Sequence, residues 1–126
     1  MSKVVLITGG SSGIGKSIGE FLKVKGFIVY GTSRSPKEEA RNFDLLKLDV
    51  LNKLSIDAAV AQIIDKEGRL DVLINNAGIG ITGPIEETPT EEMRKGFETN
   101  FFGGLEVIKS VLPQMIENKS GTIINI

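Results

Sequence analysis

Short apolar runs alternate with longer amphipathic stretches along the whole chain. The runs comprise residues 4–7, 27–30, 45–48, 72–74 and 122–126. The first reads Val-Val-Leu-Ile without interruption and is stopped by glycines, a pattern typical of a strand buried on both faces of a parallel sheet. The pattern predicts five strands, with the boundaries of the third less clear than those of the others.

Between these runs, apolar residues recur at the spacing of a helix. One predicted helix begins at Gly13 and ends at Gly26, and a second ends at Gly68. Their apolar positions are Ile14, Ile18, Phe21 and Leu22 in the first helix, and Ile56, Ala59, Val60, Ile63 and Ile64 in the second. The polar segment 35–41 has room for one or two helical turns before the third strand.

A longer helical region is predicted to begin near residue 88 and to end near residue 117. Thr88 as the N-cap, Pro89 at the first helical position and Glu91 three residues after the cap form a capping-box pattern. The apolar positions of this region are Met93, Phe97, Phe101, Leu105, Ile108, Leu112 and Met115 or Ile116. Two glycines in its middle and a proline near its end weaken it.

The alternation of strands and helices predicts one α/β domain over residues 1–126. A chain of 126 residues has no room for a second domain, because about 150 residues per domain is the usual expectation. Strands joined by helices imply right-handed crossovers and a doubly wound parallel sheet. Such sheets bind ligands outside the carboxyl ends of their strands, at the point where the strand order reverses.

Composition limits the chemistry. The chain contains no cysteine and no histidine, which excludes a thiolate nucleophile, an imidazole base and a Cys/His metal site. The net charge of −1 offers no basic excess for a nucleic acid or an anionic membrane, so we expect neither as a partner. No apolar run approaches the length of about 18 residues needed to span a bilayer, and we expect a soluble, cytoplasmic protein.

The loop after the first strand reads Thr-Gly-Gly-Ser-Ser-Gly-Ile-Gly over residues 8–15. Glycines at this junction permit a tight turn and bring the backbone close to a pyrophosphate at the helix N-terminus, although they can also serve the turn alone. The spacing T-G-x-x-x-G-x-G resembles that of the short-chain dehydrogenase/reductase family. The resemblance implies cofactor-binding roles for Thr8, Gly9, Ser11, Ser12, Gly13, Ile14 and Gly15.

A second motif of the same family, N-N-A-G, follows the fourth strand at residues 75–78. The resemblance implies that Asn76, Ala77 and Gly78 lie against the cofactor, and the alternative is a plain turn. Family members have the strand order 3-2-1-4-5-6-7. The resemblance therefore implies a Rossmann-like sheet of order 3-2-1-4-5 here, truncated before the sixth and seventh strands.

The end of the second strand bears on the choice of cofactor. An acidic side chain there would bind the ribose hydroxyl of NAD, whereas an arginine suits the 2′-phosphate of NADP. Here the segment reads Gly-Thr-Ser-Arg-Ser over residues 31–35, so Arg34 and Ser33 can bind a phosphate. We expect NADP rather than NAD, the alternative being that Arg34 is a solvated loop residue.

Three further residues gain a role from the family resemblance. Asp49 and Val50, after the third strand, correspond to the residues that contact the adenine ring, although Asp49 would also suit an N-cap of the next helix. Asn100 lies inside the long helical region, where asparagine has poor propensity. In the family an asparagine here distorts the helix and belongs to the catalytic set; the alternative is a buried structural amide.

The serine, tyrosine and lysine of the family mechanism are not identifiable in this chain. Its one tyrosine, Tyr30, belongs to the second strand, and Arg34 rather than lysine follows four residues later. The resemblance covers about the first half of the usual family length. It implies an NADP(H)-dependent oxidoreductase acting between carbonyl and alcohol, represented by its N-terminal part and inactive alone. A non-catalytic dinucleotide-binding module or sensor is the alternative, and a methyltransferase is disfavoured by both motifs.

Two apolar surfaces predict self-association. The fifth strand, interior in the family, would leave the aliphatic residues 123–126 on an exposed sheet edge. The helix carrying Phe97, Phe101 and Leu105 takes part in a subunit interface in the family. We therefore expect a homo-oligomer that acts on a small-molecule carbonyl or alcohol substrate.

Overall fold

A computed structural model describes residues 2–39 and 41–126. In chain order the elements are β1 (Val4–Ile7), α1 (Gly13–Val24), β2 (Ile28–Ser33), β3 (Asp44–Lys47), α2 (Lys53–Glu67), β4 (Val72–Asn75), α3 (Thr90–Phe97), a π-helical segment (Glu98–Gly103), α4 (Gly104–Glu117) and β5 (Thr122–Asn125).

The strands form one parallel sheet of the order β3-β2-β1-β4-β5, which confirms the predicted Rossmann-like order. In the register of the sheet, Val5 of β1 lies between Val29 of β2 and Val72 of β4. The four residues of β1 are at most 1% exposed, as expected for a central strand covered on both faces. Because all strands run the same way, the loops that follow them meet at one edge of the sheet.

Two apolar layers enclose this sheet. On one face, Leu6 and Leu73 belong to a core that includes Ile63 of α2 and both Val107 and Val111 of α4. On the other face the core comprises Val5, Ile7, Val29, Phe43 and Ile74, and Ile18 and Leu22 of α1 pack against it. Helices on both faces make the sheet doubly wound.

The buried face of α1 differs from the one that its apolar spacing predicts. Gly15 and Gly19 are the buried residues of the helix, whereas Ile14 and Phe21 are 62% and 61% exposed. A Cβ on Gly19 would lie 2.6 Å from the ring carbon Cζ of Phe43. The helix therefore approaches the sheet through its glycines, and the prediction for Ile14 and Phe21 is wrong.

The long helical region divides into three segments. The N-cap of α3 is Pro89, and the Thr88 hydroxyl donates to the Pro84 carbonyl, so the predicted capping box is wrong. In α4 the residues facing the core are Val107, Val111 and Met115. A π-helical turn shifts the phase of the residues that follow it. Because α4 follows this turn, its buried stripe is out of phase with Phe97 and Phe101, which precede α4 and are 67% and 59% exposed.

β2 is longer than predicted, and the segment after it is not helical where it is described. Pairing with β3 extends β2 to Ser33, which faces Lys47. Residues 36–39 and 41 have no helical conformation, so the predicted helical turns are absent from them; Ala40 lies outside the described residues. None of the helices within residues 2–39 and 41–126 combines the length and apolarity needed to cross a bilayer.

Candidate cofactor-binding site

A cleft of about 580 Å³ lies where the loops after β1, β2, β3 and β4 meet. Its walls include ten of the residues expected to bind a cofactor, namely Gly9, Ser11, Ser12, Ser33, Arg34, Asp49, Val50, Asn76, Ala77 and Gly78. Segments that are distant in sequence therefore converge at the carboxyl edge of the sheet, where a doubly wound fold places its ligand.

Thr8 joins the two sequence motifs. Its side chain is 1% exposed, and its hydroxyl oxygen accepts hydrogen bonds from the backbone N–H groups of Asn76 and Ala77, both at 3.0 Å. The Asn76 side-chain amide in turn donates to the Gly9 carbonyl at 3.1 Å. These three bonds hold the glycine loop against the N-N-A-G segment. Thr8 itself does not line the cleft.

The glycines of the loop allow its backbone to pack closely. Gly9 has a φ of +68°, and a Cβ there would lie 3.0 Å from the Cα of Ala77. At Gly15, a Cβ would overlap the Gly9 carbonyl oxygen and lie 2.5 Å from the Asn76 amide nitrogen. Gly15 is thus a packing position behind the loop.

The first turn of α1 is open. A Cβ at Gly13 would meet no atom within 4 Å among the described residues, and Ile14 is exposed. Ser12 is the N-cap of α1, but its side chain makes no capping hydrogen bond in the described structure. Ser11 and Ser12 line the cleft, whereas Gly13, Ile14 and Gly15 do not. A helix start with free amide donors beside a cleft suits an anionic group.

The cationic side chains of the cleft belong to the connection between β2 and β3. Arg34, Lys37 and Arg41 line it there together with one acidic residue, Glu39. Arg34 is exposed and directly follows Ser33, whose hydroxyl oxygen accepts from the Ser35 N–H at 3.2 Å. This wall is suited to an anion with several oxygens.

Asp49 and Val50 line the cleft from the loop after β3. One carboxylate oxygen of Asp49 accepts from the Leu51 N–H at 2.9 Å, and Val50 is buried. The N-cap of α2 is Asn52, whose side chain accepts from the Ser55 N–H. The capping alternative for Asp49 is therefore wrong, and Asp49 organises the turn after β3 instead.

Asn100 lies in the π-helical segment, in agreement with a distorted helix at this position. Its amide pairs with the backbone of Ile79: the oxygen accepts from the N–H at 2.7 Å, and the nitrogen donates to the carbonyl at 2.8 Å. A Cβ on Gly78 would lie 2.8 Å from the Asn100 oxygen, so the N-N-A-G glycine permits this approach. Asn100 is exposed, which excludes a buried structural amide.

Tyr30 lies away from the cleft walls. Its hydroxyl donates to a Glu67 carboxylate oxygen at 2.6 Å. Burial, then the hydrogen bond and the charge of Glu67, raises the pKa of Tyr30 to about 12. A hydroxyl with this partner and this pKa is poorly placed to exchange protons near neutral pH.

Some residues that line the cleft were not among those expected to bind a cofactor. Thr32, 1% exposed, accepts the Gly9 N–H at 3.3 Å and lines the cleft, as do Ile79 and Thr99. The position of Thr32, directly before Ser33 and Arg34 in the sequence, suggests that it lies near the cleft. Its contact with the glycine loop, however, depends on the pairing of β1 with β2 in the folded protein. No sequence signal identified Thr99.

A second, more apolar cavity of about 440 Å³ adjoins the first and shares Ile79 with it. Its walls also include Ile81, Met93, Phe97 and Phe101, with Asn100 at its side. Asn100 thus lines the apolar cavity and is bonded to the backbone of Ile79, the residue that the two cavities share.

Known proteins resemble this chain over nearly all its length. A family model described as short chain dehydrogenase matches residues 3–126. A 3-ketodihydrosphingosine reductase of Bacteroides thetaiotaomicron is 49% identical over 124 residues, which cover 98% of this chain and 46% of that protein. An NADPH-dependent 3-dehydrocapnine reductase of Ornithobacterium rhinotracheale is 37% identical over 121 residues, covering 87% of this chain and 42% of that protein.

A solved structure described as ElxO with NADP bound superimposes with a TM-score of 0.91 and 36% identity, covering 99% of this chain and 55% of that one. The chain spans about half the length of the curated relatives it matches. The sheet order, both glycine-containing motifs and the match over residues 3–126 agree, and this protein belongs to the short-chain dehydrogenase family.

Proposed function

We propose that this protein is an NADP(H)-dependent oxidoreductase that interconverts a carbonyl compound and an alcohol. The observation that carries the proposal is the cleft itself, which joins the glycine loop to a wall bearing Arg34 at the end of β2. No acidic residue stands at the end of β2, where one would bind the ribose hydroxyl of NAD. The acidic residue of this wall, Glu39, comes five residues after Arg34.

The residues present fit a dinucleotide phosphate. Gly9 and the uncapped start of α1 would receive the pyrophosphate, because backbone donors and the helix dipole favour a negative charge. Asp49 and Val50 would hold the adenine ring, and Arg34 with Ser33 the 2′-phosphate. When bound, NADP(H) would supply or accept the hydride.

The apolar cavity beside the cleft supports a role in substrate binding. Asn100 holds the Ile79 backbone between the two cavities through two hydrogen bonds, and we assign it a positioning role at the reaction centre. Ile81, Phe97 and Phe101 offer an apolar surface. A ketone with an apolar portion would fit this wall. The name of the relative that is 49% identical, 3-ketodihydrosphingosine reductase, is in line with such a substrate.

We further propose that residues 1–126 supply the cofactor-binding half of one domain and transfer no hydride unaided. Tyr30, the one tyrosine in the sequence, is committed to Glu67. The same observation favours a second candidate function, a dinucleotide-binding module without catalysis. Residues 1–126 alone should bind NADPH without consuming it under either function. Oxidation of NADPH by ketones in a protein that carries this chain within a whole domain would support the oxidoreductase, whereas binding without oxidation there would support the module.

Fluorescence titration with NADPH and NADH tests the cofactor assignment. The wild-type protein should bind NADPH more tightly, and Arg34→Ala should weaken NADPH binding about tenfold while leaving NADH within twofold, because a charge-assisted bond to phosphate is lost. Arg94→Ala is the matched control, an exposed arginine of α3 that does not line the cleft. Equal affinity of the wild-type protein for both cofactors would contradict the assignment.

A further inference from the structure

Arg41 is the least solvated cation of the cleft, although it lies outside the family motifs. Its side chain is 8% exposed, and its Nε atom is buried with no hydrogen-bond partner among residues 2–39 and 41–126. One terminal nitrogen donates to the Lys37 carbonyl at 3.1 Å and lies 3.8 Å from a Glu39 carboxylate oxygen. A guanidinium has five N–H donors, so most of this group's capacity is not used by the residues that the structure describes.

A largely buried guanidinium with unpaired N–H groups lowers the stability of the folded protein unless a ligand binds it. Removal of a charged donor from water without a full set of partners is unfavourable, and buried polar groups are usually paired. The contact with Glu39 is long for a charge-assisted hydrogen bond, which usually measures about 2.7 to 2.9 Å. The partially paired Arg41 therefore retains donors for a ligand.

The position of Arg41 supports the same conclusion. Arg41 lines the cleft that Arg34 and Ser33 also line. Arg34 directly follows β2 and Arg41 precedes β3, so two arginines from opposite ends of one connection border one cavity.

The backbone beside Arg41 is anchored to the body of the protein. The next residue, Asn42, donates its side-chain amide to the Glu20 carbonyl of α1 at 3.3 Å. Phe43 follows, 6% exposed, with its ring against Gly19 of α1 and Gly31 of β2. These contacts fix the position from which the Arg41 side chain extends.

We propose that Arg41 is a second ligand of the 2′-phosphate of NADP(H) and acts with Arg34 to select NADP(H) over NAD(H). Arg34 supplies an exposed cation, and Arg41 supplies a desolvated one whose interaction with a dianion is less screened by water. Two planar guanidiniums can bind a phosphate through several oxygens at once. This proposal rests on the proposed function, because it requires the cofactor to occupy the cleft.

The test compares dissociation constants for NADPH and NADH in the full-length protein. Arg41→Met should weaken NADPH binding about tenfold and leave NADH within twofold. Arg41→Lys should give a smaller loss, again confined to NADPH, because the charge remains while the planar fork is lost. Arg94→Met makes the same change of charge outside the cleft and should leave both constants unchanged.

The outcomes separate this proposal from the one on which it rests. If the wild-type protein prefers NADPH and Arg34→Met removes the preference while Arg41→Met and Arg41→Lys keep it, the assignment of Arg41 is wrong and the proposed function stands. If the wild-type protein has no preference, both fail. Circular dichroism verifies folding, and if Arg41→Met does not fold, an Arg41→Lys variant with wild-type NADPH affinity overturns the assignment.

Discussion

The central strands β1 and β4 are tied by side chains at both ends of the sheet, but by different chemistry. At the carboxyl end, the neutral Thr8 hydroxyl accepts two backbone N–H groups of the N-N-A-G segment. At the amino end, the Asp71 carboxylate accepts the Val4 N–H at 2.8 Å and is paired with Arg69. The same structural task is thus performed by a neutral group beside the cleft and by an ion pair away from it.

This difference indicates how the cleft keeps its charges for a ligand. A carboxylate in place of Thr8 would set a negative charge beside the expected pyrophosphate and weaken its binding. A hydroxyl satisfies the same amides without a charge. The ion pair of Asp71 lies where no ligand is expected, so its charge costs nothing in binding.

Removal of the Thr8 hydroxyl should have the largest effect on stability. Thr8→Val keeps the shape and leaves two largely buried N–H groups without their acceptor, so we expect a loss of about 3 kcal/mol in the free energy of unfolding. Urea denaturation measures this loss in the free energy of unfolding. Thr32→Val is the control, since within the described part of the chain that hydroxyl accepts one N–H, that of Gly9 at 3.3 Å, and its loss should cost about 1 kcal/mol. Equal losses in the two variants would contradict the role of Thr8.

A smaller effect is expected from a methyl group behind the glycine loop. Gly15→Ala sets a Cβ against the Gly9 carbonyl and the Asn76 amide, and such overpacking costs about 2 kcal/mol. NADPH affinity should fall with it, because the loop must shift. Gly80→Ala, where a Cβ meets nothing within 4 Å among the described residues, should change stability by less than about 0.5 kcal/mol. An unchanged melting temperature for Gly15→Ala would show that the loop tolerates the displacement.

The smallest expected effect is a change in the pH dependence of stability, which arises from Asp71 at the amino end of the sheet and not from Thr8. Burial alone raises the pKa of Asp71, but hydrogen bonds from Arg69 and the Val4 N–H, with the charges of Arg69 and Lys3, outweigh it and lower that pKa. The unfolded state therefore binds more protons in acid, so this contribution to stability is present above pH about 4 and is lost as the pH falls through the lowered value.

Asp71→Asn should flatten the acid side of the stability profile, measured by denaturation from pH 2 to 7. Asp65→Asn removes an exposed carboxylate of α2 and should keep the wild-type slope. A wild-type slope in Asp71→Asn would mean that other carboxylates govern acid stability. Thr8→Val should shift the whole profile and leave its slope unchanged, since a hydroxyl does not titrate in this range.

Much of the fold follows from the sequence because the strands and motifs are local. Short runs rich in apolar residues predicted all five strands, and the family resemblance carried by the two motifs implied their order. The face of α1 was not predictable, because Gly19 is buried only through its contact with Phe43, a residue distant in sequence. The phase of α4 depends on the π-helical segment, which no apolar period reveals.

The residues of the site that belong to the family motifs were predictable from the sequence. Ten expected residues line the cleft, whereas Thr8 and Gly15 support it from behind through contacts with Asn76 that exist only in the folded chain. Arg41 belongs to no motif, and its significance comes from burial and missing partners. We predict that the residues lining the cleft contact the cofactor.

Amide chemical shifts on addition of NADPH would show directly whether a dinucleotide binds in the cleft. We predict the largest changes in residues 9–13, in Ser33 and Arg34, and in residues 76–78, with smaller changes at Asp49 and Val50. The N–H groups of β5 and of the amino ends of the strands should not move. Shifts confined to the apolar cavity around Phe97 and Phe101, or no shifts in a folded protein, would contradict a dinucleotide site in the cleft.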